Sequence, residues 1–266
     1  MQFQCEILLD SVSPIGVRLT TMVCTYPRFI HSEIMTHRMF SRNSASSRAI
    51  PTKKMIDTIR ADPIMPIEFG VNQPGMQASE IMEGPKLERC VEAWRAASIS
   101  ATIHAENLYN LGVHKQVVNR LLEPFMPMTT IITATDWANF FKLRIHPAAQ
   151  PEMQEIARLM KKAMDESKPK ERYNHRPYIK EADESGTTIE ETFLISAARC
   201  ARVSYTNHGK EKDILEDIAF GKKLQESGHW SPFEHQAKAL DYRTYQGNFC
   251  GWMQFRKQCA GEYVYG

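Results

Sequence analysis

Thr36-His37-Arg38-Met39-Phe40-Ser41-Arg42-Asn43-Ser44-Ala45-Ser46-Ser47-Arg48 is the stretch on which the reading of this chain turns. It holds one His, three Arg, one Asn and four Ser, with no acid. It follows an apolar-patterned segment and stops short of Pro51. Several cations and hydroxyl donors can therefore surround one anionic group. Arg offers a planar fork for phosphate, and Ser hydroxyls and backbone N–H groups add neutral donors. A solvated basic helix end running into a serine-rich loop has the same composition, so composition alone leaves both readings open.

The bulk numbers narrow the field. A length of 266 residues fits one large domain or two small ones. With 42% hydrophobic and 24% charged residues the chain reads as soluble and globular. A net charge of +2 is too small to argue for nucleic acid, and a local basic patch on a near-neutral protein fits a small anionic ligand better. The longest apolar runs fall short of a membrane span. Met1-Gln2-Phe3-Gln4-Cys5-Glu6 lacks the basic start and apolar core of a signal peptide. Cys5, Cys24, Cys90, Cys200, Cys250 and Cys259 are scattered without a C-x-x-C pair and read as reduced thiols of a cytoplasmic protein. None has a sequence-local activator, so all are taken as structural. There is no Walker A loop and no G-x-G-x-x-G, which argues against ATP or a Rossmann-bound dinucleotide.

The pattern predicts an α+β fold in one unit: a mostly antiparallel sheet with a large helical part. Residues 3–9 and 16–25 read as strands joined by a turn at Ser13-Pro14-Ile15-Gly16. Pro27 opens a helix with Ile30, Ile34 and His37 on one face, which puts His37 and Arg38 in its last turn. Helices are predicted over 52–60, from Lys86 to a break near Gly112, over 113–122 and over 152–166. Residues 61–79 read as a loop and 167–186 as an exposed linker. The capping-box pattern Thr187-Thr188-Ile189-Glu190 starts a helix through about Arg202, and another follows from about Glu211 to Ser227. Residues 236–245 alternate like a strand, and 248–258 read as helical.

Three further constellations carry chemistry. Arg144 in Leu143-Arg144-Ile145-His146-Pro147 is flanked by apolar residues and needs a partner, either an internal acid or a ligand. Ser227-Gly228-His229-Trp230-Ser231-Pro232-Phe233-Glu234-His235 matches no zinc spacing and reads as a polar turn, so no metal is expected. Ala197-Ala198-Arg199-Cys200-Ala201-Arg202-Val203-Ser204-Tyr205 reads as a closely packed helix.

Together these residues resemble the flavin-dependent thymidylate synthases. That family's signature is Arg-His-Arg, seven residues, Ser, and an Arg two further on. Here Thr36-His37-Arg38 is followed by seven residues, then Ser46, then Arg48, with Ser41 and Asn43 matching inner positions. Val118-Asn119-Arg120-Leu121-Leu122-Glu123-Pro124 resembles the family's Arg-x-x-x-Pro helix end, and Asn139-Phe140-Phe141-Lys142-Leu143-Arg144 its Asn-Phe-Leu-x-Leu-Arg segment. The blocks at 197–204 and 228–235 resemble its Ala-Ala-Arg-x-Ser and Gly-His-x-(Ser/Thr)-Pro-x-Glu-His blocks. In the family these last two precede the signature, so the chain reads as a circular permutation, with 187–258 matching the family's N-terminal part. Trp252-Met253-Gln254-Phe255-Arg256 then resembles a decayed second copy of Ile34-Met35-Thr36-His37-Arg38.

The resemblance implies a homotetramer that binds FAD between subunits and moves a one-carbon unit from methylenetetrahydrofolate to C5 of dUMP. NADPH is the implied reductant, and neither nucleic acid nor membrane is an implied partner. By matching position, His37, Arg38, Ser41, Asn43, Asn139, Ser204, Ser231 and Glu234 are expected at FAD. Ser46, Arg48 and Arg120 are expected at the nucleotide phosphate and Arg144 at the pyrimidine, with Ser46 and Arg144 as the catalytic pair. Thr36 removes a cation at the flavin. Glu33 stands where many members have Gln near the phosphate; a carboxylate there would repel phosphate, so either its role differs or Gln254 substitutes at the phosphate. Ala148 replaces the family's His, with His146 displaced by two. These departures leave three outcomes open: methylation of dUMP, hydroxymethylation of dUMP or dCMP, and a non-catalytic nucleotide- or flavin-binding relative.

Overall fold

A computed structural model describes residues 2–205 and 213–262. β1 (Gln4–Val12) and β2 (Arg18–Pro27) pair antiparallel around the predicted turn, which is closed by Ser13 N to Val17 O at 2.9 Å. A single 3-10 turn and the short α1 (His31–Met35) lead into β3 (Ser41–Ser44). α1 ends before His37, so His37 and Arg38 lie just past it rather than in its last turn. The Thr36 hydroxyl, donating to the Glu33 carbonyl at 2.6 Å, helps to close it.

α2 (Thr52–Ala61), α3 (Gly84–Asn110) and α4 (Lys115–Val118) form a helical layer with the 3-10 segment Asn119–Phe125. Met55, Ile56 and Ile59 of α2 meet Ala105, Val118 and Leu122 there. The predicted helix over 113–122 is thus half α and half 3-10, and the 3-10 part runs on to Phe125 with Pro124 inside it. β4 (Pro127–Ala134) then runs between β2 and β3, giving a five-stranded sheet in the order β3-β4-β2-β1-β5 among the described residues. The sequence reading leaves β4 unassigned. It is buried on both faces, so its Thr and Ile residues show no alternation to announce it.

α5 (Ala138–Arg144) and α6 (Pro151–Glu166) follow. Met153, Ile156 and Met160 of α6 pack on Met22, Cys24 and Ile132, and burying each contributes roughly 1.5–3 kcal/mol. Val23 and Ile131, one residue away, face the opposite side and meet Cys200 and Val203. The sheet is therefore covered on both faces.

Residues 167–186 correct the expected exposed linker. β5 (Lys170–Glu171) adds to β1 in parallel, β6 (Asn174–His175) pairs with a later strand, and α7 (Glu181–Glu184) follows. His175 is fully buried and hydrogen-bonds Ser11 and Thr21 at 2.8 Å each, which draws this charged segment onto the sheet. α8 (Ile189–Ala201) starts with a capping box on Thr188 and Glu191, one residue later than the predicted pattern. α9 (Ile214–Glu226) is the other predicted helix, and the start expected near Glu211 lies outside the described residues.

β7 (Ala237–Ala239), β8 (Tyr245–Gln246), β9 (Phe249–Cys250) and β10 (Trp252–Gln254) complete the chain, ending in a 3-10 turn at Phe255–Gln258. The helix expected over 248–258 is absent. Gly247 and Gly251, both at φ 67°, turn the chain twice, and a Cβ at Gly247 would lie 2.3 Å from Gln254 Oε1. The Trp252–Arg256 stretch is thus strand and 3-10 turn, unlike its proposed counterpart, where Ile34 and Met35 end α1.

Candidate active site

The signature segment is anchored by an aromatic cluster. Phe40 is buried with ring centroids 4.7 Å from Trp137 and 5.0 Å from Phe140. His37 meets the Phe140 ring edge-on at 4.9 Å. Arg42 on β3 reaches back and donates to the Met35 and His37 carbonyls at 2.8 and 3.1 Å. The exit of α1 and the start of β3 are thereby clamped together.

Arg144, in the last turn of α5, meets this clamp. Its Nε donates to His37 Nε2 at 2.8 Å, its Nη1 to Glu33 Oε2 at 3.3 Å and its Nη2 to Thr36 Oγ1 at 3.1 Å. An Arg cannot accept, so His37 Nε2 must be the acceptor and the ring neutral. Burial, then the charges of Arg144 and Arg42, push His37 down to about 4. Glu33 is a counter-ion for Arg144, so its carboxylate is balanced rather than left to repel an anion. Of the two partners the sequence allowed, the structure supplies the internal acid, Glu33, and leaves the Arg144 side chain 20% exposed.

A second group forms around the turn after β3. Asn119 donates to the Ser47 and Ile50 carbonyls at 2.7 and 3.0 Å and accepts from Thr52 at 2.8 Å. This pins the Ser46–Arg48 turn to the 3-10 segment that carries Arg120. The hydroxyl of Ser47 and Nη1 of Arg120 both donate to Glu123 Oε1, at 2.6 and 2.7 Å, and Arg28 Nη2 lies 3.0 Å from the same oxygen. Arg48 is exposed, and its side chain has no partner among the described residues. Sequence reading missed Arg28, Ser47 and Glu123. Ser47 and Glu123 stood inside quoted blocks, whereas Arg28 carries no local signal.

The C-terminal blocks pack behind and beside β3. Ser41 is buried, accepting from Gln254 at 3.0 Å and Asn248 at 3.3 Å. Gln254 also donates to the Glu234 carbonyl at 3.2 Å and is 1% exposed. Its amide is engaged inside the protein, where the sequence reading expected it at a substrate phosphate. Ser41 likewise faces inward. With its NH2 turned toward the Arg42 and Ser231 carbonyls, Asn43 donates to them at 3.0 and 3.1 Å. Asn43, Ser204, Tyr205, Phe220, Lys223 and Ser231 line a cavity of about 290 Å³. The Ser46 amide donates to the Ser204 carbonyl at 3.1 Å, so this cavity adjoins the second group. Glu234 pairs with Arg256. Arg38 and Asn139 are exposed, without side-chain partners among the described residues.

The structure thus brings His37 and Arg144 together, joins Ser46 and Arg48 to Arg120 through Asn119, and gathers Asn43, Ser204 and Ser231 around one cavity. The Cys5 neighbour and then burial push the Cys24 thiol up, and burial pushes Cys200 up and Cys259 up to about 11; none of the three is a ready nucleophile. Among the described residues no group of acids, His and Cys could hold a metal, and no helix is long and apolar enough to cross a membrane.

The family model of the thymidylate synthase complementing protein matches residues 12–170, more than half of the chain. A search of curated proteins finds no match. Among solved structures, the fold is similar to the UMP/dUMP methylase PolB from Streptomyces cacaoi bound with 5-Br dUMP, with a TM-score of 0.50 and 16% identity over 61% of this chain and 90% of that one. Thymidylate synthase X from Helicobacter pylori, solved with FAD and dUMP, gives a TM-score of 0.39 and 15% identity over 55% of this chain and 67% of that one. The PolB likeness is one of fold.

Proposed function

The chain belongs to the thymidylate synthase complementing protein family, the flavin-dependent thymidylate synthases, and from that premise we propose that it transfers a one-carbon unit to C5 of a pyrimidine deoxynucleotide, converting dUMP to dTMP. Methylenetetrahydrofolate is the donor and NADPH the reductant in this reading. The observation that carries it is the Arg144 guanidinium, oriented by Glu33, Thr36 and His37 within one segment of the signature.

The residues present fit FAD. The cavity beside Asn43 offers aromatic walls at Tyr205 and Phe220, hydroxyls at Ser204 and Ser231 and a cation at Lys223, a donor set suited to an ADP-ribose end. His37, Arg38 and Asn139 stand at the other end of β3, suited to the isoalloxazine. When bound, FAD supplies the hydride. The chain's own residues do the rest. Arg144 faces the pyrimidine and stabilises negative charge as C5 becomes nucleophilic. Its contacts to His37, Glu33 and Thr36 fix that guanidinium before substrate arrives, so no reorganisation is needed during the step. Neutral His37 holds Arg144 without competing for its charge. Ser46, Arg48 and Arg120 hold the phosphate. Ser41 and Glu234 act at one remove, Ser41 through Gln254 and Glu234 by balancing Arg256. The exposed Arg38, Arg48 and Asn139 suit a homotetramer whose sites form between subunits, in the cytoplasm.

A second reading is hydroxymethylation of dUMP or dCMP, and Thr36 favours it. A neutral side chain stands where the family has Arg, so anionic charge beside the reductant is less well balanced and water addition to the methylene competes. The packing of Ser204 and Ser231 against the signature strand also supports the circular permutation, since both blocks meet β3 from the far end of the sequence.

The deciding experiment is the absorbance spectrum of the purified protein, followed by product mass after incubation with dUMP or dCMP and methylenetetrahydrofolate. A colourless protein that takes up no added FAD removes the reading. A methyl product alone removes hydroxymethylation.

A further inference from the structure

Glu123 Oε1 accepts from Ser47 Oγ at 2.6 Å and Arg120 Nη1 at 2.7 Å, with Arg28 Nη2 at 3.0 Å. Two guanidiniums and a hydroxyl converging on one anionic oxygen is the donor set of a phosphate oxygen. The carboxylate is not sealed in: its side chain is 21% exposed, and those of Arg28 and Arg120 are 18% and 53% exposed. It sits on the segment that Asn119 ties to the Ser46–Arg48 turn, so Arg48, with no partner among the described residues, follows Ser47 directly. The surroundings are cationic beyond need. His31, pushed down to about 4 by burial and then by Arg28 and Arg42, is neutral there, and Glu123 is the acid that three donors share.

We infer that in the free protein Glu123 holds the place of a nucleotide phosphate oxygen, that Arg28 and Ser47 belong to the phosphate subsite with Arg120, and that binding requires the Glu123 carboxylate to withdraw toward solvent. The inference rests on the phosphate reading of Ser46, Arg48 and Arg120. A phosphate monoester carries up to two negative charges and three strong acceptor oxygens, against one charge and two oxygens on the carboxylate, so it displaces Glu123 from the same donors. Glu123 then acts as a threshold. It keeps the arginines ordered, and it discriminates against ligands too weakly charged to replace it.

The test is calorimetric titration of the full chain with dUMP and with deoxyuridine, which lacks the phosphate, on wild type, Glu123→Gln and Arg28→Ala, with thermal unfolding as the folding control. Glu123→Gln is expected to bind dUMP about tenfold more tightly, a change of about 1.4 kcal/mol, with deoxyuridine affinity unchanged. Arg28→Ala is expected to weaken dUMP at least about tenfold and leave deoxyuridine alone. If Glu123→Gln fails to fold, Glu123→Asp, whose shorter arm draws the charge back, is expected to tighten dUMP by a smaller factor. Unchanged or weaker dUMP binding by a folded Glu123 variant overturns the inference and makes Glu123 a pin for the turn. Equal affinity of wild type for dUMP and deoxyuridine removes the phosphate subsite itself, and both readings with it.

Discussion

Arg144 and His37 are donor and acceptor, Nε to Nε2 at 2.8 Å, and the bond exists only while the imidazole is neutral. Protonating His37 would set two cations against each other beside Glu33. Activity is therefore expected to survive at neutral pH and fall as pH drops toward the depressed His37 value of about 4. His37→Gln, which retains an acceptor, is expected to keep more of kcat than His37→Lys, which sets a second cation beside the guanidinium. Steady-state pH profiles of the two variants check this, and equal losses would deny the acceptor role.

The same chemistry governs stability. Burial pushes His235 to about 3 and His175 well below its ordinary value, with His31 and His37 at about 4. A histidine depressed in the folded state refuses a proton that the unfolded chain accepts below about pH 6.5. Stability is then unaffected above that pH and declines as pH falls from there toward the folded values. For the two fully buried rings, His175 and His235, the slope is about 1.4 kcal/mol per pH unit each; the half-solvated pair adds less. Urea midpoints between pH 7.5 and 4.5 measure it, and a flat profile would refute it. The loss precedes that from Asp183, which the Arg199 hydrogen bond holds below the usual carboxylate range against the opposing effect of burial.

Glu33 tests whether Arg144 needs its counter-ion. Glu33→Ala is expected to cost about 1 kcal/mol or less in stability, since both side chains are partly exposed, yet to lower kcat more than KM rises. A larger effect on stability than on turnover, read from thermal unfolding beside kinetics, would make Glu33 structural only.

Much of this was readable from particular residues. The β1–β2 hairpin announced itself by β-branched runs around Ser13-Pro14-Ile15-Gly16, and α6 by Met153, Ile156 and Met160 at helical spacing. β4 did not, because a strand buried on both faces has no polar side to alternate with. Residues 248–258 carry helix-compatible side chains, and only the backbone turns at Gly247 and Gly251 exclude a helix. At the site, the family resemblance singled out His37 and Arg144, which the structure brings into contact, and Ser46 and Arg48, which it places in a separate turn. It could not reveal that Gln254 spends its amide on Ser41, or that Arg28 shares Glu123 with Arg120, since those contacts join residues far apart in the chain.

Arg48 is exposed, with no side-chain partner among the described residues, and is proposed to bind the nucleotide phosphate. Arg48→Ala is expected to weaken nucleotide binding by about 1.5–3 kcal/mol, the range for a lost charged hydrogen bond, while FAD affinity stays unchanged. Titration of dUMP and FAD on the same preparation separates the two, and unchanged dUMP affinity would refute the role.

Gln254 distinguishes a residue that supports the site from one that binds in it. Its Nε2 donates to Ser41 Oγ at 3.0 Å and to the Glu234 carbonyl at 3.2 Å, in a position 1% exposed. Gln254→Leu keeps most of the volume but strips both donors, leaving a buried hydroxyl and a buried carbonyl without this partner. Ser41 keeps Asn248 as a donor while the Glu234 carbonyl is left without one, a loss of about 1–3 kcal/mol, so a fall in Tm is expected. Because β3 pairs with β4 through Ser41 and Thr133, the loosened strand should also raise KM for nucleotide modestly. A phosphate ligand removed outright would give the opposite balance, a large loss of dUMP affinity relative to deoxyuridine with Tm nearly intact. Measuring Tm and the dUMP-to-deoxyuridine affinity ratio on one preparation of Gln254→Leu decides between them, and a collapsed ratio at unchanged Tm would restore Gln254 to the phosphate.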